Sequence, residues 1–282
     1  MFVKKIFGAV ASCLLAGALL VGCGSSDAPQ SEKKSDADKI GMIAGLNVSE
    51  EKINATIRSI VGVDLDYDVV YYDNLNAMQS GFEAGAVDEI STYKIVGDYL
   101  IARHPEFEIS DKHKLKLDLR DRFCCAVKSD NQDLIHLIDG AINAMKSDGT
   151  LERLTKEYIT DLKGTDEPPA VEMPHIDGAL THKVAVTGDL PPLDLIRADG
   201  TPAGFNTAVL AEIGKRISRN FELVSIESNA RASALASGTV DMVFWVRVPQ
   251  GDDLLPLNFD RPDGIEVSED YFVDEIVHVG KK

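Results

Sequence analysis

The feature that most constrains the fold is an alternation of strand-like and helix-like segments that runs through the chain twice. From Lys39 on, short apolar runs such as "KIGMIAG" are followed by segments with helical periodicity, such as "SEEKINATIRSIVG", which begins with a Ser cap and stops at a Gly. The same order recurs from residue 182 with "HKVAVTG", "FNTAVLAEIGKRIS", "NFELVSI" and "TVDMVFW". Strands that alternate with helices predict an α/β fold whose parallel or mixed sheets are covered on both faces.

A Pro-rich, acidic stretch, "GTDEPPAVEMPHIDGAL", separates the two regions. Its prolines and charges predict a stiff, exposed linker over residues 164–181. We therefore expect one lobe over 39–163 and another over 182–282, each of ordinary domain size. In such sheets ligands bind beyond the carboxyl ends of the strands, where helix N-termini expose N–H groups, so the cleft between the lobes is the expected binding place.

The N-terminal segment has the features of an export signal. "MFVKKIFGAVASCLLAGALLVGC" has a basic start, an apolar run over 6–21 and small residues before Cys23, which predicts a signal over 1–22 rather than a spanning helix. "LVGC" resembles the lipobox of bacterial lipoproteins, which implies cleavage before Cys23 and lipid on its thiol. The alternative is an ordinary signal with an incidental Cys. The polar segment 23–38 has nothing to bury and predicts a flexible tether.

The net charge is strongly acidic. It is -17 for the whole chain, and removing Lys4 and Lys5 with the signal makes it -19. An acidic surface argues against a nucleic-acid partner and against a polybasic membrane-binding face. It says little about a small ligand, which responds to the local field of a cleft.

Two adjacent cysteines, Cys124 and Cys125, remain in the predicted folded part. There is no Cys-x-x-Cys motif and no nearby His cluster, so we expect no zinc site and no other cofactor. "RFCCAV" alternates like a strand and would place the two thiols on opposite faces of a sheet. We interpret them as strand residues, with a redox role as the alternative.

Several longer segments resemble bacterial extracellular solute-binding proteins of the polar amino-acid type, which supply ABC importers. "VAVTGDLPPLDLIRADGTPAGFNTAVLAEIGKRI", "ALASGTVDMVFW" and "VSEDYFVDEIVHVG" are similar to the first lobe of that family and its outgoing hinge strand. "KIGMIAGLNVSEE", "AMQSGFEAGAVDEIS" and "CAVKSDNQDLIHLIDGAINAMKSDGTLERLTKEYI" are similar to its second lobe and closing helices. The resemblance spans most of the chain from Lys39 to Gly280 and implies a two-lobed, type II periplasmic-binding-protein-like clamshell.

The lobes stand in reversed order relative to that family. Here the lobe resembling the second one, with the closing helices, comes first (39–163), and the lobe resembling the first one, with the hinge strand, comes last (182–282). The sequence therefore resembles a circular permutant opened at the hinge. Proteins tolerate circular permutation when their termini lie close together on the surface. The alternative is a tandem of two incomplete domains.

The 182–282 lobe contains several candidate ligand contacts. In "SNARASAL", Ser228 and Arg231 resemble the Ser-x-x-Arg of family members that bind acidic amino acids, and the guanidinium would bind a carboxylate. Trp245 closes the strand "VDMVFW" and is a candidate stacking platform, with rim packing as the alternative. Arg247 faces the same side if the chain stays extended.

The other lobe offers candidates after two strands. Asn47 and Val48 lie at a strand-to-helix turn where the family usually has a Gly-Thr-Thr-like turn that holds a carboxylate. Ser91, Thr92 and Tyr93 follow the strand "VDEI", and Tyr93 stands where amino-acid binders commonly place an Asp for the ligand's ammonium.

Three further features bear on the ligand. Leu190 stands where amino-acid binders often carry an aromatic residue, and the family's Thr-x-x-Arg element after the strand at 240–245 is replaced by "VRVPQGDD". These departures weaken the inference to a plain amino acid. Asp189 is also a candidate contact, although Asp is common in Gly-Asp turns for structural reasons.

The resemblance implies a function in solute capture. We expect a monomeric, lipid-anchored protein on the cell surface or periplasmic side, which binds a small polar molecule, an amino acid or related compound, and delivers it to the membrane permease of an ABC importer. A ligand-sensing module for a receptor is one alternative, and an enzyme of the dehydratase or lyase kind on the same scaffold is another. Because no His or Cys stands near Asp189, we expect no enzymatic activity.

Overall fold

The computed structural model describes residues 37–62, 65–113, 119–250 and 255–282. The predicted signal over 1–22, Cys23 and all but the last two residues of the 23–38 tether lie outside these ranges, as does most of the strand candidate "LKLDL". The strands are β1 Asp38–Ile43, β2 Tyr67–Tyr72, β3 Glu89–Tyr93, β4 Phe107–Ser110, β5 Arg120–Lys128, β6 Thr181–Val186, β7 Asp189–Leu190, β8 Asp194–Ile196, β9 Pro202–Ala203, β10 Asn220–Ser225, β11 Met242–Pro249, β12 Ile265–Val267 and β13 Phe272–Lys281. The helices are α1 Glu50–Val61, α2 Leu75–Glu83, α3 Lys94–Arg103, α4 Gln132–Ser147, α5 Thr150–Thr155, α6 Phe205–Ile217 and α7 Arg231–Ser237, with a π-helical turn at Lys156–Thr160 and a 3-10 turn at Ser228–Ala230.

One strand, β13, connects two halves of a large mixed sheet. The order is β10-β6-β11-β5-β13-β3-β1-β2, with β12 added to β5 and β4 added to β13, and β7, β8 and β9 form a separate small sheet. Residues 272–275 of β13 pair with β5, whereas residues 276–281 pair with β3 and β4. We call residues 37–113 with the end of β13 the leading lobe, and residues 119–271 with the start of β13 the trailing lobe.

The pairing within each lobe is the parallel kind that the strand–helix alternation predicts. In the leading lobe β1 lies between β2 and β3, parallel to both. In the trailing lobe β6 lies between β10 and β11, again parallel to both, while β5 runs antiparallel to β11. The carboxyl ends of these parallel strands carry the turns from which a ligand site is built.

The closing helices belong to the trailing lobe by their contacts. Helix α4 packs on α6 and on β5, and α5 packs on α4 and α6. The linker 164–181 also lies along this lobe, where Val171 N–H donates to Pro202 O at 2.8 Å. The leading lobe therefore comprises only the part of 39–163 that ends near residue 113, together with the second half of β13.

The two adjacent cysteines lie in β5 and face opposite sides of the sheet, as their alternation predicts. Cys125 belongs to the main buried cluster and Cys124 to a smaller cluster that includes Val243 and Val246. Both are free thiols, and burial raises the pKa of Cys124 to about 12. These thiols are protonated and packed as small apolar side chains.

Helix α1 starts and stops where its sequence signals indicate. Ser49 Oγ accepts a hydrogen bond from Lys52 N–H at 3.2 Å, and the helix ends at Gly62, whose φ of 75° is left-handed. We expect Ser49→Ala to lower the free energy of unfolding by about 1 kcal/mol in urea titrations, because one helical N–H loses its acceptor. Ser49→Asp, which keeps an acceptor, should stay close to the wild type; equal losses in both variants would contradict the capping role.

No helix in the described part of the chain is long and apolar enough to cross a membrane.

Candidate functional site

A cavity of about 180 Å³ lies between the two lobes, and the turns after parallel strands line it. The leading lobe contributes the end of β1 and the end of β3. The trailing lobe contributes the end of β11, part of β5 and the loop that approaches β12. Most of the lining side chains are apolar; the polar and charged ones are Tyr67, Ser91, Thr92, Tyr93, Ser110, Asp111, Asp121, Arg231, Arg247, Asp260, Glu275 and His278.

Arg231 reaches the cavity from the first turn of α7 and is only 5 % exposed. Its Nη1 donates to Trp245 O at 3.3 Å and its Nη2 donates to Ser228 Oγ at 3.1 Å, so both bonds go to neutral acceptors. Its Nε has no hydrogen-bond partner among the described residues. Burial lowers the pKa of Arg231, and the carboxylates of Asp194 and Asp260 oppose that effect. A buried guanidinium with a spare donor is suited to an acceptor group of a ligand.

Trp245 lies beside Arg231 on an aromatic cluster that fixes its ring. Phe123 stacks against it with ring centroids 4.7 Å apart at 25°, and Tyr93 meets it edge-on at 5.4 Å. The indole is 7 % exposed, and in the described ranges its Nε1 finds no hydrogen-bond acceptor. A buried indole N–H usually has a partner, so this donor is a second one available to a ligand.

Arg247 is engaged by an acid from the loop before β12. Its Nε donates to Asp260 Oδ2 at 3.2 Å, and Asp260 is 4 % exposed. Asp260 also accepts the backbone N–H groups of Leu46, at 3.1 Å, and Asn47, at 2.7 Å, across the cleft. Burial alone would lower the pKa of Arg247, but Asp260 and neighbouring groups raise it above its usual range.

Tyr93 and Asp121 form a second polar pair in the cleft. Tyr93 OH donates to Asp121 Oδ2 at 2.8 Å, and both side chains are buried. Burial raises the pKa of Asp121, against the opposing effects of Arg247 and the tyrosine hydrogen bond. Tyr93, which stands where amino-acid binders commonly place an Asp, thus has the carboxylate of Asp121 from β5 beside it.

Asp189 lies at the contact between the lobes and outside the cavity lining. Its Oδ2 accepts the N–H of Asn76 at 3.1 Å, in the first turn of α2. Two further contacts join the same surfaces: Ser228 N–H donates to Asp73 O, and Asn74 Nδ2 donates to the carboxylate of Glu227. The two lobes therefore touch each other directly beside the cleft.

The structure brings most of the predicted site residues together. Those that line the cavity are Val48, Ser91, Thr92, Tyr93, Leu190, Arg231, Trp245 and Arg247. Ser228 lies behind Arg231 as its acceptor, Asn47 takes part through its backbone N–H, and Asp189 caps α2. None of these three is in the lining.

Two central acids were missed by the sequence reasoning, Asp121 and Asp260. Asp121 precedes the apolar run of β5 and has no local signal. Asp260 follows "VRVPQGDD", the segment whose departure from the family pattern was already visible. That departure could have indicated Asp260, because a loop at the carboxyl end of a strand contributes residues to the site, and a different loop contributes different ones.

The described architecture is the predicted α/β clamshell of two lobes with a cleft between them. Residues 182–245 match the model of the bacterial extracellular solute-binding proteins, family 3. The match covers a later part of the trailing lobe, from β6 to Trp245. No curated protein matches the chain.

Three solved structures align with most of this chain. The ligand-binding component of an ABC-type import system from Staphylococcus aureus, with zinc bound, has 8% identity and a TM-score of 0.44 over 87% of this chain and 66% of its own. Full-length CbnR with its target DNA has 11% identity and a TM-score of 0.41, over 87% and 64%. The GluR0 ligand-binding core with L-glutamate has 11% identity and a TM-score of 0.37, over 88% and 86%. The chain spans slightly less than two thirds of the length of the first two.

Proposed function

We propose that this chain is a solute-binding protein that captures one small ligand in the cleft between its lobes, without chemical conversion of it. The observation that carries the proposal is the buried guanidinium of Arg231, which lines the cavity with an unpartnered Nε. The family match over 182–245 supports it. A ligand that contacts both lobes stabilises the closed arrangement by its binding free energy, and β13 is the strand about which the lobes close.

We further propose that the protein acts outside the cytoplasm as a monomeric lipoprotein and delivers its ligand, an amino acid or related compound, to the permease of an ABC importer. The "LVGC" sequence supports lipid attachment at Cys23, and the tether over 23–38 supports a folded part held near the membrane. The family resemblance supports the importer. The polar groups in the cleft support a ligand with at least one hydrogen-bond acceptor.

We also propose that the lobe order arose by circular permutation, and the ends of two strands support this. Ile90 of β3 pairs with Gly41 of β1 on one side and with Val279 of β13 on the other. The end of β13 at Lys281 and the start of β1 at Asp38 therefore lie at the same end of the sheet. Because only β3 lies between these two strands, they are roughly 10 Å apart. A chain running from β13 into β1 would have the lobe order of the family.

The test is a ligand screen followed by a comparison of Arg231→Lys with the wild type. A thermal-shift screen over amino acids, small carboxylates, amines and peptides identifies the ligand, because binding to the folded state raises Tm. Calorimetry should then show roughly 10- to 100-fold weaker binding by Arg231→Lys, since lysine keeps the charge that faces Asp194 but lacks the planar fork. Each Kd is measured on protein whose own apo Tm has been recorded.

Arg153→Lys is the matched control, because Arg153 is exposed on α5 and pairs with Glu157 at 3.2 Å, away from the cavity. It should bind like the wild type. Unchanged affinity in Arg231→Lys, or a screen in which no compound stabilises the wild type, would contradict the proposed function.

A further inference from the structure

A carboxylate of the chain itself occupies the position in the cleft best equipped for an anion. Leu46 N–H, Asn47 N–H and the Arg247 guanidinium converge on one point, and we call these three donors the anion cradle. All three bind Asp260, at 3.1, 2.7 and 3.2 Å. The two N–H groups belong to the turn before α1, and the helix dipole adds to their preference for a negative charge.

Gly45 leaves the space for this carboxylate. A Cβ built on Gly45 would overlap the Asp260 carboxylate and lie 2.6 Å from Arg247 Nη2. Only glycine therefore allows the carboxylate and the guanidinium to approach the backbone at this turn. Asp260 is 4 % exposed in that position.

The loop that carries Asp260 is also attached to the leading lobe beside it. Lys52 Nζ donates to Phe259 O and lies 5.2 Å from the centroid of the Phe259 ring. Lys52 belongs to α1, so Phe259 and Asp260 contact the same helix and the turn before it. These contacts keep Asp260 in reach of the cradle at an effective concentration of about the millimolar range or above. A free carboxylate at micromolar concentration does not compete with that.

Arg231 and Trp245 each have one donor that Asp260 does not use. Arg231 Nε and Trp245 Nε1 are buried and have no acceptor among the residues described, and both residues line the cavity. The anion cradle, by contrast, is filled by Asp260.

We propose that Asp260 is a specificity-determining residue that fills the anion cradle and excludes ligand carboxylates from it, so that the ligand is held by acceptor groups on Arg231 and Trp245 and by the apolar walls. This inference rests on the proposed function of the cleft. On this inference, the cleft binds ligands that do not place a carboxylate at the Leu46–Asn47 turn.

The test is chemical rescue of the emptied cradle. Asp260→Ala removes a group the size of formate and leaves Cβ in place. Formate at tens of millimolar should raise the Tm of Asp260→Ala and bind it at least about ten-fold more tightly than the wild type, because the three donors are then free. Acetate should rescue less well than formate, since its methyl group would overlap the alanine Cβ. Sodium chloride at equal ionic strength is the reference.

Two variants complete the design. Asp263→Ala removes an exposed acid of the same loop and should give no formate response. Asp260→Asn keeps the shape but replaces one acceptor by a donor, and it should bind formate more tightly than the wild type and less tightly than Asp260→Ala. If Asp260→Ala does not fold, Asp260→Ser, whose shorter side chain also leaves the space of the carboxylate free, replaces it in the comparison.

Equal formate affinity in the wild type and the Asp260 variants would overturn the inference, as would a folded Asp260→Ala that formate does not stabilise beyond chloride. Neither measurement uses the captured ligand. Failure here is therefore distinguishable from failure of the proposed function, which is read from the Arg231→Lys comparison.

Discussion

Replacing Phe123 by alanine is expected to lower the free energy of unfolding by about 3–5 kcal/mol. Phe123 is fully buried in β5, and its ring contacts Trp245 and Tyr93, each at 4.7 Å between centroids, and Phe272 of β13 at 5.6 Å. Truncation removes the apolar burial and leaves a cavity beneath the ligand cleft, at the point where β5 pairs with β13. Urea titration followed by far-UV circular dichroism measures the loss.

The same variant should change the environment of the indole. Trp245 is the only tryptophan in the sequence, so its fluorescence reports on this cluster alone. We expect a red-shifted emission in Phe123→Ala and near-normal emission in Phe123→Leu, which should lose less than about 2 kcal/mol because it refills most of the volume. A loss under 1 kcal/mol in Phe123→Ala, with unchanged emission, would show that the cluster does not support the cleft.

The second large effect is a dependence of stability on pH through Asp189. Burial raises the pKa of Asp189 to about 6, against the hydrogen bond from Asn76 N–H that lowers it. Between about pH 4 and 6 the folded protein binds more protons at this carboxyl than the unfolded chain does. Stability from this group is therefore greatest below pH 4, falls as the pH rises to 6, and stays low above it. The rise in the pKa of Asp189 to about 6 corresponds to about 3 kcal/mol of stability.

Asp189→Asn removes the charge and keeps an acceptor for Asn76 N–H. We expect it to be more stable than the wild type by up to about 3 kcal/mol at pH 7.5 and about equal to it at pH 4, in urea titrations at both pH values. The difference between the two proteins isolates Asp189 from Asp274, whose pKa burial also raises to about 6. Asp263→Asn, on the surface, should show no such difference. A wild-type advantage at pH 7.5 would contradict the predicted sign.

Local sequence signals predicted several elements and some of their ends, such as the start and stop of α1. The Ser49 cap accepts a helical N–H group as expected, at 3.2 Å, and the Cys124–Cys125 alternation gave the correct faces of β5. These features depend on neighbours within a few residues, so a short sequence segment is enough to predict them. The α/β class also follows from the pattern of such short segments.

The contacts that make the site depend on distant residues and were only partly predictable. Asp260 meets the Leu46–Asn47 turn more than 200 residues away in sequence, and Asp121 meets Tyr93 across the sheet. Arg231 was predicted to point into the cleft, but its near-complete burial depends on Ser228 and on the Trp245 carbonyl as neighbours. Side-chain partners of this kind follow from the register and packing of the whole molecule.

The division of β13 between two neighbours has a mechanical consequence. Up to Glu275 the strand is paired with β5, and from Ile276 it is paired with β3. The partner changes between Glu275 and Ile276, and Ile276 N–H still donates to Leu119 O at 2.9 Å beside β5. A load applied to the C-terminal end of β13 is therefore transmitted to both lobes through one continuous strand of backbone.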